Sequence, residues 1–193
     1  WMSSYREQSR HGGGVLPIVV NNNNFARGAP GEPTLLSFDD ARTLFHEFGH
    51  GLHGLLSDVT YERLAGTSVL RDFVELPSQL FEHWAFDPGV LERHARHADT
   101  GEPIPHELVL RVRSARRFNQ GFETVEYAAC ALLDMALHAS EDPEGVDVAA
   151  FETAELARIG MPREIVLRHR LPHFDHLFGG NGYAAGYYVY MWA

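Results

Sequence analysis

The stretch Phe45-His46-Glu47-Phe48-Gly49-His50 gathers side chains that can bind a metal and move a proton. On a helix, His46 and His50 are separated by about 400° of turn and about 6 Å of rise, so both imidazoles leave from one face. Two neutral imidazoles on adjacent turns make a bidentate grip for Zn²⁺. Glu47 lies about 100° further round, outside that grip but within reach of a water on the metal. A carboxylate there can take a proton from that water and later hand it to a leaving amine. The same histidines could instead pack together or hold a structural metal. His53 adds a further option, since it shares nearly the same face and could pair with His50, which would leave Glu47 without a role.

A catalytic zinc needs a third protein ligand. A histidine six residues after His50 is excluded, because that position holds Leu56. A glutamate from a following helix is the other common solution. Glu75 opens a run of polar groups set among apolar ones, with Asp72, Ser78, Gln79 and Glu82. Ser78 and Glu82, at i+3 and i+7 from Glu75, share its face and could orient the imidazoles. In isolation the run would equally suit a solvated acidic face.

These residues need elements to carry them. Ser37-Phe38-Asp39-Asp40 has the form of a helix start with Ser37 as cap, and Ala41, Leu44, Phe45, Phe48, Leu52, Leu55 and Leu56 follow at helical spacing. The spacing predicts a helix from there to about Leu56. A second helix is expected over Asp72 to Ala85, kinked beside Glu75 because Pro77 cannot donate to Phe73. Asp87-Pro88 opens a third. Further helical patterns run from about Glu107 to Asn119, Glu123 to Ala139 and Val148 to Ile159, with breakers at Pro143-Glu144-Gly145 and Gly160-Met161-Pro162. Val15 to Val20 reads as a short edge strand or hairpin arm, since Pro17 suits an edge. It could pair with an extended peptide or simply end the sheet. The class is mainly α with a little β.

Composition narrows the partners. A formal net charge of −10 opposes nucleic acid, whose phosphates would be repelled. All 16 basic residues are arginine. A lone cysteine, Cys130, allows no internal disulfide and suits a reducing compartment. The longest apolar stretch, Tyr127 to Leu137, is interrupted by Asp134 and reads as a buried helix rather than a membrane span. With Trp1 at one end and a helix-like Met191-Trp192-Ala193 at the other, the chain reads as a piece of a longer protein.

Three separated motifs carry a family resemblance. His46-Glu47-Phe48-Gly49-His50-Gly51-Leu52-His53, Asp72-Phe73-Val74-Glu75-Leu76-Pro77-Ser78-Gln79, and Gly182-Tyr183-Ala184-Ala185-Gly186-Tyr187-Tyr188-Val189-Tyr190 closely resemble the thimet oligopeptidase family of zinc peptidases. The likeness runs in order from Trp1 to Trp192. Gly66-Thr67-Ser68-Val69, leading into Arg71-Asp72-Phe73-Val74-Glu75, looks like the bacterial peptidyl-dipeptidase (dipeptidyl carboxypeptidase) branch more than the endo-oligopeptidase branch.

The resemblance implies a zincin-type helical catalytic core, with residues 1–193 as a single catalytic segment. It implies one zinc per chain on His46, His50 and Glu75, with Glu47 as general base. His176 and Tyr183 would contact the substrate, and Tyr190 would donate to the oxyanion. The residues themselves say less: a glycine-rich loop from Gly179 to Gly182 precedes four tyrosines, which could serve an oxyanion or form an aromatic core face. Arg168 and Arg170, with Tyr183 or Tyr187 as neutral donors, are candidates to receive a substrate carboxylate. Family members are much longer, so the rest of the parent polypeptide is expected to complete the channel. The expectation is a cytoplasmic metallopeptidase that releases C-terminal dipeptides from short peptides, with neither nucleic acid nor membrane as partner. An endo-acting oligopeptidase and an inactive, zinc-braced binding module are the alternatives.

Overall fold

The computed structural model describes residues 1–142, 145–180 and 182–193. Pro143 and Glu144, expected as breakers, and Asn181 of the glycine-rich loop lie outside the described residues. The chain forms two compact units, Trp1–Arg117 and Phe118–Ala193, and helices dominate both.

The first unit opens with a hairpin. Strand β1, Met2–Arg6, pairs antiparallel with β2, Ile18–Asn21, aligning Met2 with Asn21 and Ser4 with Val19 before a bulge at Tyr5. The strand expected over Val15 to Val20 thus starts later, after Pro17, which has no N–H for a ladder. Its partner comes from the polar opening segment.

Helix α1, Phe38–Leu55, has the expected capping box: Ser37 accepts from the Asp40 amide, and the Asp40 carboxylate accepts from the Ser37 amide. Asp39 and Asp40 add favourable charge at its positive end. Helix α2, Arg71–Val74, and helix α3, Leu76–Glu82, meet at Glu75, with Pro77 in the first turn of α3. The expected kink is therefore a break, and it falls on Glu75 itself.

Gly49 explains how closely α1 approaches α3. A Cβ there would lie 2.6 Å from Ser78 Cα and 2.8 Å from the Pro77 carbonyl oxygen, contacts only glycine avoids. A 3₁₀ turn at His83–Phe86, then α4 (Pro88–His94, capped by Asp87) and α5 (His106–Ala115) complete the unit.

In the second unit α6, Gln120–His138, and α7, Val148–Arg158, are followed by a 3₁₀ turn at Leu171–His173, short α8 at Asp175–Phe178 and α9 at Val189–Trp192. Cys130 and Leu133 of α6 pack in one core with Leu167, Leu171, Phe174, Leu177 and Tyr187. Among the described residues no helix is long and apolar enough to cross a membrane.

Candidate active site

α1 presents His46 and His50 on successive turns, and the α2–α3 break delivers Glu75 against them. Glu75 is 1% exposed. Its Oε2 lies 3.3 Å from His46 Nε2 and 3.2 Å from His50 Nε2. One ligand atom from each of the three residues falls within 4.8 Å of the others, so the cluster could hold a metal ion. Ser78 Oγ donates to the same Oε2 over 2.9 Å, which fixes the carboxylate rather than an imidazole.

His46 is oriented from behind. Its Nδ1 stands 2.7 Å from Glu82 Oε1, and a carboxylate there requires that nitrogen to donate. The other nitrogen is thereby turned toward Glu75. Burial alone would lower the His46 pKa, but hydrogen bonds and charge attraction from Glu75 and Glu82 outweigh it and raise it to about 9. His50 differs: its Nδ1 is buried with no hydrogen-bond partner. His53 stays outside the cluster, edge-on to Phe73 at 6.0 Å, with its pKa lowered by burial and by His50. The pairing of His50 with His53 is thus not the one assembled.

Glu47 also lies outside the cluster. Its Oε2 accepts the Met2 amide of β1 at 2.7 Å, while its Oε1 is 3.7 Å from the Trp1 nitrogen.

The second unit brings the other nominated residues together. The His176 ring is 5.8 Å from Tyr183 and 5.9 Å from Tyr190, edge-on to both, and those two tyrosines stack at 5.4 Å. All three are half-buried. Tyr187 sits deeper, 2% exposed and stacked on Tyr127 at 5.7 Å. Burial first, then Tyr127, push its phenol pKa well up. The arginines considered for a substrate carboxylate have other partners. Arg170 donates through Nε and Nη2 to Glu152 Oε2 at 2.9 and 2.7 Å, and Arg168 lies over the Tyr127 ring at 4.8 Å.

Three contributors were not nominated from the sequence: the Met2 amide, Glu152 and Asp134. Only Asp134 left a signal, as the charge interrupting an apolar run. A buried carboxyl group needs partners, and beyond His138 those of Asp134 are far along the chain.

Comparison with known proteins fits this arrangement. A sequence profile described as Peptidase family M3 matches residues 1–193. The chain is 47% identical to a dipeptidyl carboxypeptidase of Salmonella typhimurium and 47% identical to one of Escherichia coli, covering 100% of this chain and 28% of each relative. It is 38% identical to oligopeptidase A of Escherichia coli, over 100% of this chain and 29% of that protein. The chain thus spans less than a third of the length of these curated relatives. With the profile matched from end to end and the histidine–glutamate cluster assembled, the chain belongs to Peptidase family M3, the thimet oligopeptidase family that its three motifs resemble.

Proposed function

We propose that the intact polypeptide is a zinc-dependent peptidase that hydrolyses short peptides and releases C-terminal dipeptides. One observation carries the reading: two imidazole nitrogens converge on one buried carboxylate oxygen at 3.3 and 3.2 Å. Ligands about 2.0–2.2 Å from a tetrahedral zinc lie roughly 3.3–3.6 Å from one another, so both separations from Glu75 suit the ion. Two imidazoles and one carboxylate also match a catalytic rather than a structural donor set. Bound zinc would supply a Lewis acid and lower the pKa of a coordinated water.

The remaining work falls to the chain. Glu82 and Ser78 hold His46 and Glu75 in register. Glu47 takes a proton from the attacking water and returns it to the departing amine, with the Met2 amide steadying one of its oxygens. Tyr190 and His176 serve the developing oxyanion and Tyr183 the bound peptide, while Tyr187 backs this group from the core. Release of dipeptides is favoured by the higher identity to the dipeptidyl carboxypeptidases than to oligopeptidase A. The buried, unpaired Cys130 suits a cytoplasmic setting.

The test uses the intact polypeptide, a short peptide and its C-terminal amide. A dipeptide-releasing enzyme reads the free carboxylate, so the two should differ about 10–10²-fold in kcat/KM, the worth of a charge-assisted contact. Equal cleavage, or products other than C-terminal dipeptides, would leave an endo-acting oligopeptidase. Glu75→Ala should lose zinc; full retention would reassign the third ligand.

A further inference from the structure

Asp134 is 0% exposed in the wall of α6, beside Cys130 and Leu133. Both its oxygens serve backbone far along the chain: Oδ1 accepts the Ala185 amide at 2.8 Å and Oδ2 the Tyr187 amide at 2.9 Å. One turn later on α6, His138 places Nδ1 2.8 Å from Oδ1 and 2.9 Å from the Asp134 carbonyl oxygen. Ala185 has φ +54°, a left-handed conformation that a residue with a Cβ adopts only under constraint. With Ala185 so placed, the amides on either side of Gly186 converge on one anion, as in a backbone nest. Tyr183 and Tyr190 flank this turn, and Tyr187 is part of it. The carboxylate holds in place a segment that has no long helix of its own.

We propose that Asp134, hydrogen-bonded by His138, is a positioning residue that sets the placement of Tyr190 for the peptidase reaction. The proposal rests on the reading above, in which Tyr190 serves the reaction. Asp134 acts through the backbone of residues 185–187.

The experiment is a double-mutant cycle in the intact polypeptide. Asp134→Asn keeps the shape but turns an NH₂ toward one of the two backbone amides. It should lower kcat about 10-fold or more, with KM within about twofold and zinc content unchanged. In a Tyr190→Phe background the same change should cost less than about twofold further, because the group it positions is already gone. An equal loss in both backgrounds, or an unaltered kcat, would overturn the proposal. Should Asp134→Asn not fold, His138→Ala at the partly exposed partner should give a smaller kcat loss that likewise vanishes in the Tyr190→Phe background. Equal losses there would again overturn it. An inert Tyr190→Phe by itself would instead sink the tyrosine reading, and this proposal with it.

Discussion

The metal-ligand cluster of the first unit and the aromatic cluster of the second meet the same demand by different means. In the first, two ligands inherit their spacing from the period of an 18-residue helix, and the third sits at a helix break whose neighbour packs against Gly49. Their partners, Ser78 and Glu82, lie on the same short helix that follows Glu75. In the second, His176 and the tyrosines ride on turns and four-residue helices that cannot fix a direction alone. Buried carboxylates on longer helices do it for them, Asp134 beneath the tyrosine turn and Glu152 at the Leu171 amide, 2.6 Å away. Local periodicity thus places the atoms proposed to bind the metal, and long-range polar tethers place the atoms proposed to meet the substrate.

The largest effect should come from Glu47→Gln, which tests whether proton transfer belongs to the helix that carries the two histidines. In the intact enzyme kcat should fall about 10²–10⁴-fold with zinc content unchanged. Loss of metal with loss of rate would make Glu47 a structural support for the cluster instead.

Proton competition at His46 is the next expected effect. Its pKa is raised from 6.5 to about 9 in the metal-free fold, so the stability it contributes is complete below about pH 6.5 and is lost as pH rises through about 9. A metal must displace that proton, so affinity should climb by up to tenfold per pH unit as pH rises toward 9 and level off above it. Titration calorimetry across pH 6–10 would read this directly, and a flat profile would contradict the Glu75 and Glu82 pairing.

Glu82→Gln sharpens the contrast between units. It removes the group orienting His46, and metal affinity should weaken about 10–100-fold while the pH window moves down. Glu152→Gln should leave metal affinity alone; an equal effect would mean that the two clusters are not independently built.

Gly49→Ala asks whether the helix contact is as tight as it looks. Relieving the clash with Ser78 and Pro77 should cost about 1–3 kcal/mol of stability by denaturant titration. The smallest change is Ser37→Ala, which removes the cap of α1 at about 1 kcal/mol and should spare metal binding, since the ligands lie two turns or more inside the helix.

Much of the first unit could be read from the chain because its signals are local. The Ser37–Asp40 box, the apolar spacing of α1 and the Pro77 break each act within a few residues. Strand β1 could not be read so: Ser3, Ser4 and Arg6 are polar and exposed, and the strand exists through its backbone pairing with β2. What Asp134 and Glu152 would hold was opaque for a related reason. Their partners lie up to 53 residues away, and no spacing rule links a buried acid to a distant amide. The tyrosines were visible as a group, but which of them would be sealed in the core was not. Burial follows from Tyr127 and Phe174 closing on Tyr187, a tertiary event.

The amide that Met2 offers to Glu47 has a consequence for parity. Trp1 and Asn22 exchange both their backbone bonds, so at the neighbouring Met2–Asn21 pair the Met2 N–H points away from β2 and toward α1. Along β1 such outward amides recur only at every second residue. A slip of one residue in the hairpin would bring the Ser3 amide opposite Asn21 and turn every β1 side chain to the other face, whereas a slip of two would bring the Ser4 amide there with the faces kept. The hold on Glu47 is thus indifferent to an odd or an even count along β1, because it belongs to the main chain and not to the Met2 side chain.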